Sequence, residues 1–364
     1  MIVKNEEDTL ERCLASVSDI MDEIIIVDTG STDKTKKIAG KFTEHVMDFE
    51  WIDDFAAARN FAFSHATMDY IMWLDADDVL LSEDRQKLLR LKQSIDPIVD
   101  AISMEYHCDF DEQGNVTLNV RRTRIVKRMR NFQWRGAVHE DLFVDGNLFD
   151  SDIVVTHKKA HEAGDRNIKI YENRLNQGKP FTAQDIFHFA RELHQHQLYE
   201  RAIGFYLKFL EDENNSTENK IFTCNRLADC YYQIGDKEKE LAYTYKSFEY
   251  DTPRSEACCR LGYHFLQKNA FKQAVYWYKQ ALEAPLPENS WAIVNQPSRT
   301  WLPHMQLGLC YYQLGLYDLS YHHNKMVLSY RPNDQDVLNN LSLLEEILRQ
   351  RQSLATHGDR ATIR

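Results

Sequence analysis

The residues best suited to chemistry in this chain are Asp75 and Asp77, in the run Leu74-Asp75-Ala76-Asp77-Asp78. They follow the apolar stretch Tyr70-Ile-Met-Trp-Leu74, which reads as a strand. Residues two apart on a strand point to the same side, so the two carboxylates are expected to converge at the strand's C-terminal end. Open α/β sheets bind their ligands there. Paired oxygen ligands suit Mg2+ or Mn2+, and such an ion can bridge to a diphosphate and neutralise the charge that grows as it leaves. A D-x-D alone is a weak motif, because acidic turns are common. A second strand end strengthens it. Ile24-Ile-Ile-Val27 runs into Asp28-Thr-Gly-Ser-Thr-Asp33, where Gly30 permits a tight turn and Thr32 or Asp33 can cap the next helix. Asp28 either holds that turn or accepts the imide N–H of a uracil.

Four segments, Met1-Ile-Val-Lys-Asn-Glu-Glu7, Glu23-Ile-Ile-Ile-Val-Asp-Thr-Gly-Ser-Thr-Asp33, Ala58-Arg-Asn60 and Tyr70-Ile-Met-Trp-Leu-Asp-Ala-Asp-Asp78, resemble in order and spacing the family 2 glycosyltransferases of the GT-A fold. The resemblance covers about residues 1–160. It implies a nucleotide-sugar donor, with a UDP-sugar favoured, and Mn2+ or Mg2+ as cofactor. By that resemblance Asp28 binds the nucleobase and Arg59 lies near the base or diphosphate. Asp75, with Ala76 beside it, faces the ribose and metal, and Asp77 ligates the metal. The backbone around Ile2 and Lys4 lines the base pocket. Family members carry a few residues ahead of this first strand, whereas this sequence opens inside it, so either the strand is short or the start lies upstream.

Further along lies Phe132-Gln-Trp-Arg-Gly-Ala-Val-His-Glu-Asp141. A sugar transfer with inversion needs a base on one side and a departing diphosphate on the other. In the resembling family the base lies in this later part of the domain. Glu140 is the first candidate, Asp141 the second, with His139 beside them. Trp134 and Gly136 fit an acceptor-facing loop, and Trp134 fits a core position equally well. GT-A enzymes often add a late histidine to the metal. His157, after the apolar run Ile153-Val-Val-Thr156, is the candidate, and His161 competes with it. Arg121, Arg122, Arg124, Lys127, Arg128 and Arg130 form a local basic stretch that can hold a diphosphate or an acidic acceptor segment, or simply be an exposed strand pair.

Short apolar runs alternating with helical stretches at about 32–41 and 54–66 position these groups, which means an α/β domain with a mostly parallel sheet. Residues 99–160 are richer in strand, with a turn at 111–115. From about 166 the pattern is helical and repeats. Phe189-Ala190, Leu227-Ala228, Leu261-Gly262 and Leu307-Gly308 occupy equivalent places, and chain reversals follow at Gln197, Gly235, Asn269 and Gly315. Small residues recur at Ala202, Ala274 and Ser320, with Glu240 as the departure. This resembles the tetratricopeptide pattern of helix pairs. The expected architecture is a GT-A domain over 1–165, an all-α repeat domain over 166–352 and a flexible tail over 353–364. The insertion around 284–300, with Trp291, is a long loop or an extra short helix. Tyr276-Trp277-Tyr278 reads as repeat core before it reads as a sugar platform.

A net charge of -12 argues against a nucleic-acid or membrane-surface binder, and no apolar run spans a bilayer. Seven scattered cysteines without metal spacing read as reduced thiols in a cytoplasm. The combination of a family 2 domain with helical repeats is similar to bacterial enzymes that glycosylate bacteriocin precursors, S-glycosyltransferases among them. A peptide or protein acceptor, through Cys or Ser/Thr, is therefore the expected partner. The last helix, about 334–352, caps the array or offers Leu338, Leu341, Leu344 and Ile347 to a homodimer. A cell-envelope oligosaccharide or lipid-linked acceptor is the alternative, and a non-catalytic repeat scaffold is the alternative of another class.

Overall fold

β-branched and aromatic runs make the strands, and each acidic turn falls where a strand stops. A computed structural model describes residues 1–361 except 113, 160–163 and 287–293, with side chains to 351. Strands β1 (Ile2–Val3), β2 (Ile26–Asp28) and β3 (Val46–Asp48) form one parallel sheet in that order, with Val3 opposite Asp28. β4 (Tyr70–Met72) and β5 (Asp78–Val79) instead join the strand-rich region. There β6 (Ala101–Phe110), β7 (Val116–Lys127) and β10 (Leu148–His157) are the long strands, and β8 (Trp134–Arg135) with β9 (Asp141–Leu142) makes a separate pair. β4 runs antiparallel to β7 and β5 antiparallel to β10, whereas β10 is parallel to β6. The sheet is thus more mixed than the alternation of short strands and helices suggests.

Helices α1 (Leu10–Ala15), α2 (Thr35–Ala39), α3 (Phe55–Ser64) and α4 (Ser82–Ser94) belong to this part. α3 starts at Asp54, whose carboxylate accepts from the Ala57 N–H and fills one of the helix's unpaired donors. Leu74, Leu80, Leu88, Ile102, Met104, Ile153 and Val155 form the buried cluster that fixes β4–β6 and β10. α5 (Arg166–Asn176), α6 (Ala183–Gln195) and α7 (Tyr199–Leu210) follow. They lie in the same compact unit, which comprises residues 1–109 and 119–214. The sheet thus gives way to helix near 166, but the compact unit continues through α7.

The second unit contains 110–118 and the chain from 215 on. It is built of helix pairs α8 (Thr217–Gln233) with α9 (Lys237–Lys246), α10 (Ser255–Gln267) with α11 (Phe271–Glu283), and, beyond the short α12 (Gln296–Arg299), α13 (Trp301–Gln313) with α14 (Tyr317–Tyr330). The four reversals expected at Gln197, Gly235, Asn269 and Gly315 all have positive φ, the left-handed conformation that ends a helix and turns the chain back. The small positions mark close helix crossings: a Cβ on Gly262 would meet the Tyr278 ring at 2.8 Å. Tyr278 is core, while Tyr276 is exposed. The departing Glu240 is nearly buried and lies 3.7 Å from Arg260. α12 supplies the short helix of the insertion, whose residue Trp291 lies outside the described residues. The last helix, α15 (Gln335–Ala361), runs past the place where a tail is expected. It buries Val337, Leu341 and Leu344 and leaves Leu338 exposed. No helix among the described residues is long and apolar enough to cross a membrane.

Candidate active site

Asp28 closes β2 and is almost fully buried. Its Oδ2 accepts from the backbone N–H groups of Gly30 (3.1 Å) and Ser31 (2.9 Å), so it does hold the turn, for which Gly30 takes φ +100°. Its Oδ1 has no hydrogen-bond partner. A buried carboxylate oxygen left free is costly unless something donates to it. Ile2 sits in β1 beside Val27, and Lys4 follows that strand as an exposed residue.

β4 ends at Met72, and residues 75–78 form a turn in which the Asp78 N–H reaches the Asp75 carbonyl at 3.1 Å. The two-residue alternation of a strand therefore does not govern Asp75 and Asp77. The close neighbours of Asp77 are Asp78 and His157: one ligand atom from each lies within 4.8 Å of the others. His157 Nδ1 is 3.4 Å from Asp77 and 3.5 Å from Asp78. β10 brings it there by pairing His157 with Asp78 in register. Tyr106 Oη lies 2.9 Å from the same nitrogen. Burial alone would lower the His157 pKa, but Asp77 and Asp78 override it and raise it to about 9. Two carboxylates and an imidazole form a donor set that suits Mn2+ or Mg2+, and metal binding would displace that proton. His161, the competing ligand, lies outside the described residues.

Asp75 turns the other way. Its Oδ1 accepts from Arg59 at 2.7 Å, and the Nε of the same arginine donates to Glu140. Burial opposes the charge on Asp75, but Arg59 and then Arg124 lower its pKa to about 2. The Arg59 guanidinium lies 4.8 Å from the Trp73 ring and 4.9 Å from Trp134. Arg124, fully buried, stacks on the other neighbours at 4.0 Å from Trp73 and 4.5 Å from Tyr106, and pairs with buried Asp78 at 3.0 Å. Trp134, Arg59, Trp73, Arg124 and Tyr106 thus alternate ring and cation, each cation carrying a carboxylate of the site. Ala76 is buried in another cluster, with Val3, Leu10 and Ile26.

The structure therefore brings Arg59, Asp75, Asp77, His157 and Glu140 into one constellation. It turns the other two base candidates elsewhere. Asp141 faces Arg122 at 3.4 Å and accepts from Gln184, and burial pushes its pKa up. His139 faces Glu192 of α6 at 2.5 Å. Of the basic stretch, Arg121 donates to Ser103 and the Ser151 carbonyl, Arg128 to the Met68 carbonyl, and Arg130 pairs with Asp100, so these cations serve the strands. Asp78 is the residue that sequence reasoning passed over, and the extra Asp after the D-x-D was its one visible signal. Arg124 was read only as one of the basic stretch, and it is instead buried against Asp78.

Residues 1–143 match the family model "Glycosyl transferase family 2". The chain is 28% identical over 240 residues to the SPbeta prophage-derived glycosyltransferase SunS of Bacillus subtilis, a span of 61% of this chain and 55% of SunS. It is 36% identical over 148 residues to a TPR repeat-containing protein of Synechococcus elongatus, covering 41% of this chain and 35% of that protein. The chain thus spans about a third to a half of the length of these curated relatives. The C-terminal part of a TPR repeat-containing protein from Cytophaga hutchinsonii is similar in structure at a TM-score of 0.39 and 16% identity, over 49% of this chain and 64% of that one. The N-terminal 143 residues are thus similar to family 2 glycosyltransferase domains, and helix pairs of the tetratricopeptide kind follow later in the chain.

Proposed function

We propose that this protein is an inverting, metal-dependent glycosyltransferase that moves a sugar from a nucleotide-sugar donor, a UDP-sugar first, to a Cys or Ser/Thr side chain of a peptide or protein in the cytoplasm. The observation that carries this is the single constellation in which Asp77, Asp78 and His157 collect within ligand distance while Arg59 ties Asp75 to Glu140. The partnerless Oδ1 of Asp28 supports a uracil, whose imide N–H needs an acceptor. Asp77, Asp78 and His157 would hold the dication, which when bound neutralises charge on the departing diphosphate. Glu140 takes the proton from the acceptor nucleophile as the new bond to the sugar forms and the bond to the diphosphate breaks on the opposite face. Arg59 fixes the direction of Glu140 toward that face.

A cleft of about 810 Å³ in the first unit runs beside residues 136–138 and is lined by Asp54, Arg135, Arg174, Lys179 and Gln184. These charged and polar groups stand beside Ile52, Phe143 and Ile170, a mixed lining that suits a peptide acceptor. The test is a donor screen with Mn2+ or Mg2+ that reads nucleotide release from each nucleotide sugar. Release from one UDP-sugar that stops with a chelator fits the proposal, and no turnover of any donor with either ion sinks it.

A further inference from the structure

Residues 136–141 carry Glu140, and their backbone is not one a free loop keeps. Gly136 has φ +104° and His139 φ +52°. A left-handed histidine persists only where its surroundings impose it. Those surroundings are the helices just after the glycosyltransferase sheet. His139 Nε2 meets Glu192 Oε1 at 2.5 Å, and the same oxygen accepts from Asn167 Nδ2 at 3.0 Å. Glu192 is 4% exposed, so the acceptor side of this contact is sheltered, while the His139 side chain is 32% exposed. The His139 ring also stacks on His188, with centroids 4.7 Å apart. Tyr171 Oη donates to the Val138 carbonyl at 3.3 Å, and from the other side the Phe55 N–H donates to the Ala137 carbonyl at 2.9 Å. Asn167 and Tyr171 belong to α5, and His188 and Glu192 to α6.

We propose that Glu192 is a positioning residue for the reaction: through His139 it locks the 136–141 loop and so aims Glu140. This rests on the reading of Glu140 as the base. Burial works against a charge on Glu192, but the bonds from His139 and Asn167 hold its carboxyl below the ordinary range. It therefore acts as an acceptor for both. Because His139 immediately precedes Glu140, its left-handed φ sets the direction in which the Glu140 side chain leaves the chain. Helices α5 and α6 thus contribute to catalysis by holding the loop rather than by touching substrate.

The experiment uses the full chain with Glu192→Ala, Glu192→Gln and His139→Asn. Asparagine tolerates the left-handed backbone but is too short to reach Glu192. Three quantities are read: amide exchange along the chain, UDP affinity with Mn2+, and kcat and KM for UDP-glucose hydrolysis. In Glu192→Ala and His139→Asn, exchange across 136–141 should quicken about tenfold or more, the size expected for loss of a sheltered hydrogen bond to a charged group. Exchange over 26–33 and 70–79 should stay unchanged. UDP affinity should stay within about twofold, and kcat should fall about tenfold with KM unchanged, the signature of an interaction felt in the transition state. Glu192→Gln keeps an acceptor for His139 and should restore both loop protection and kcat. If Glu192→Ala does not fold, His139→Asn decides. Unchanged exchange across 136–141 in His139→Asn overturns the proposal. Should the unaltered protein bind no UDP and turn over no UDP-glucose, the donor reading fails, and the exchange data still decide whether Glu192 holds the loop.

Discussion

Asp75 and Glu140 share one guanidinium. Arg59, buried between Trp73 and Trp134, reaches Asp75 with a terminal nitrogen at 2.7 Å and Glu140 with Nε. Asp75, the proposed donor-facing carboxylate, and Glu140, the proposed base, are therefore set relative to each other by a single rigid fork. A lysine carries the charge but not the fork, and it stacks less well. Arg59→Lys should lower kcat for UDP-glucose hydrolysis by about 10- to 100-fold, in line with the effect of small misplacements on oriented reactions. Steady-state kinetics check this, and a kcat within about twofold of the unaltered protein would mean that the shared fork does not matter.

The Arg124–Asp78 pair lies deep, with both side chains fully buried. Removing the cation strands a buried carboxylate. Arg124→Ala should destabilise the metal-free protein by about 3–5 kcal/mol, the usual cost of breaking a buried pair from one side. The double variant Arg124→Met with Asp78→Asn should lose less than the single one. Urea denaturation in the presence of a chelator measures both. Equal losses would show that packing, not charge, dominates there.

Glu140→Gln should cut transfer to a hydroxyl acceptor by about two to four orders of magnitude, the range of general-base catalysis, while UDP binding with Mn2+ persists. A thiol acceptor should suffer less, because it is already partly thiolate near neutral pH. Paired Cys and Ser versions of one acceptor peptide separate these cases. Unchanged rates on both would move the base to another residue.

The two acidic turns of the candidate site were legible because each apolar run announces its own end: Ile24–Val27 stops at Asp28, and Tyr70–Leu74 stops at Asp75. The repeats were legible for a similar reason, since the small residues and left-handed reversals recur in local sequence. The contacts that turn these pieces into a site are not local. Asp78 meets Arg124 only because β4 pairs with β7, and His157 reaches Asp77 only because β10 folds back on β5. The expectation that Asp75 and Asp77 share a face assumed a continuing strand, and the turn at 75–78 redirects them. His139 looked like a neighbour of the chemistry, yet its partner Glu192 is 53 residues away on a helix that reads as part of the repeat array.

In the second unit His304 and His323 bring their Nδ1 atoms to 2.8 Å, and His323 stacks on Tyr311. Burial, then His304 and His322, lower the His323 pKa to about 4. The unfolded chain, at about 6.5, takes up a proton that the folded one resists. Stability from this group is complete above about pH 6.5 and is lost as pH falls toward 4. His304, also lowered by burial and by His322, acts in the same direction. The melting temperature should drop between pH 7 and pH 5, and His323→Gln should drop less. An equal drop in the variant would place the proton uptake elsewhere.

The central claim is that Asp77, Asp78 and His157 hold a divalent ion through which a nucleoside diphosphate binds. Calorimetry with UDP, with Mn2+ and with a chelator, tests it most directly. The account predicts binding with Mn2+ that weakens by about tenfold or more, at least 1.4 kcal/mol, without the ion. It also predicts that Asp77→Ala and His157→Ala lose this difference while keeping the fold, since each side chain is partly exposed at the edge of the site. Equal UDP affinity with Mn2+ and with chelator in the unaltered protein would contradict it.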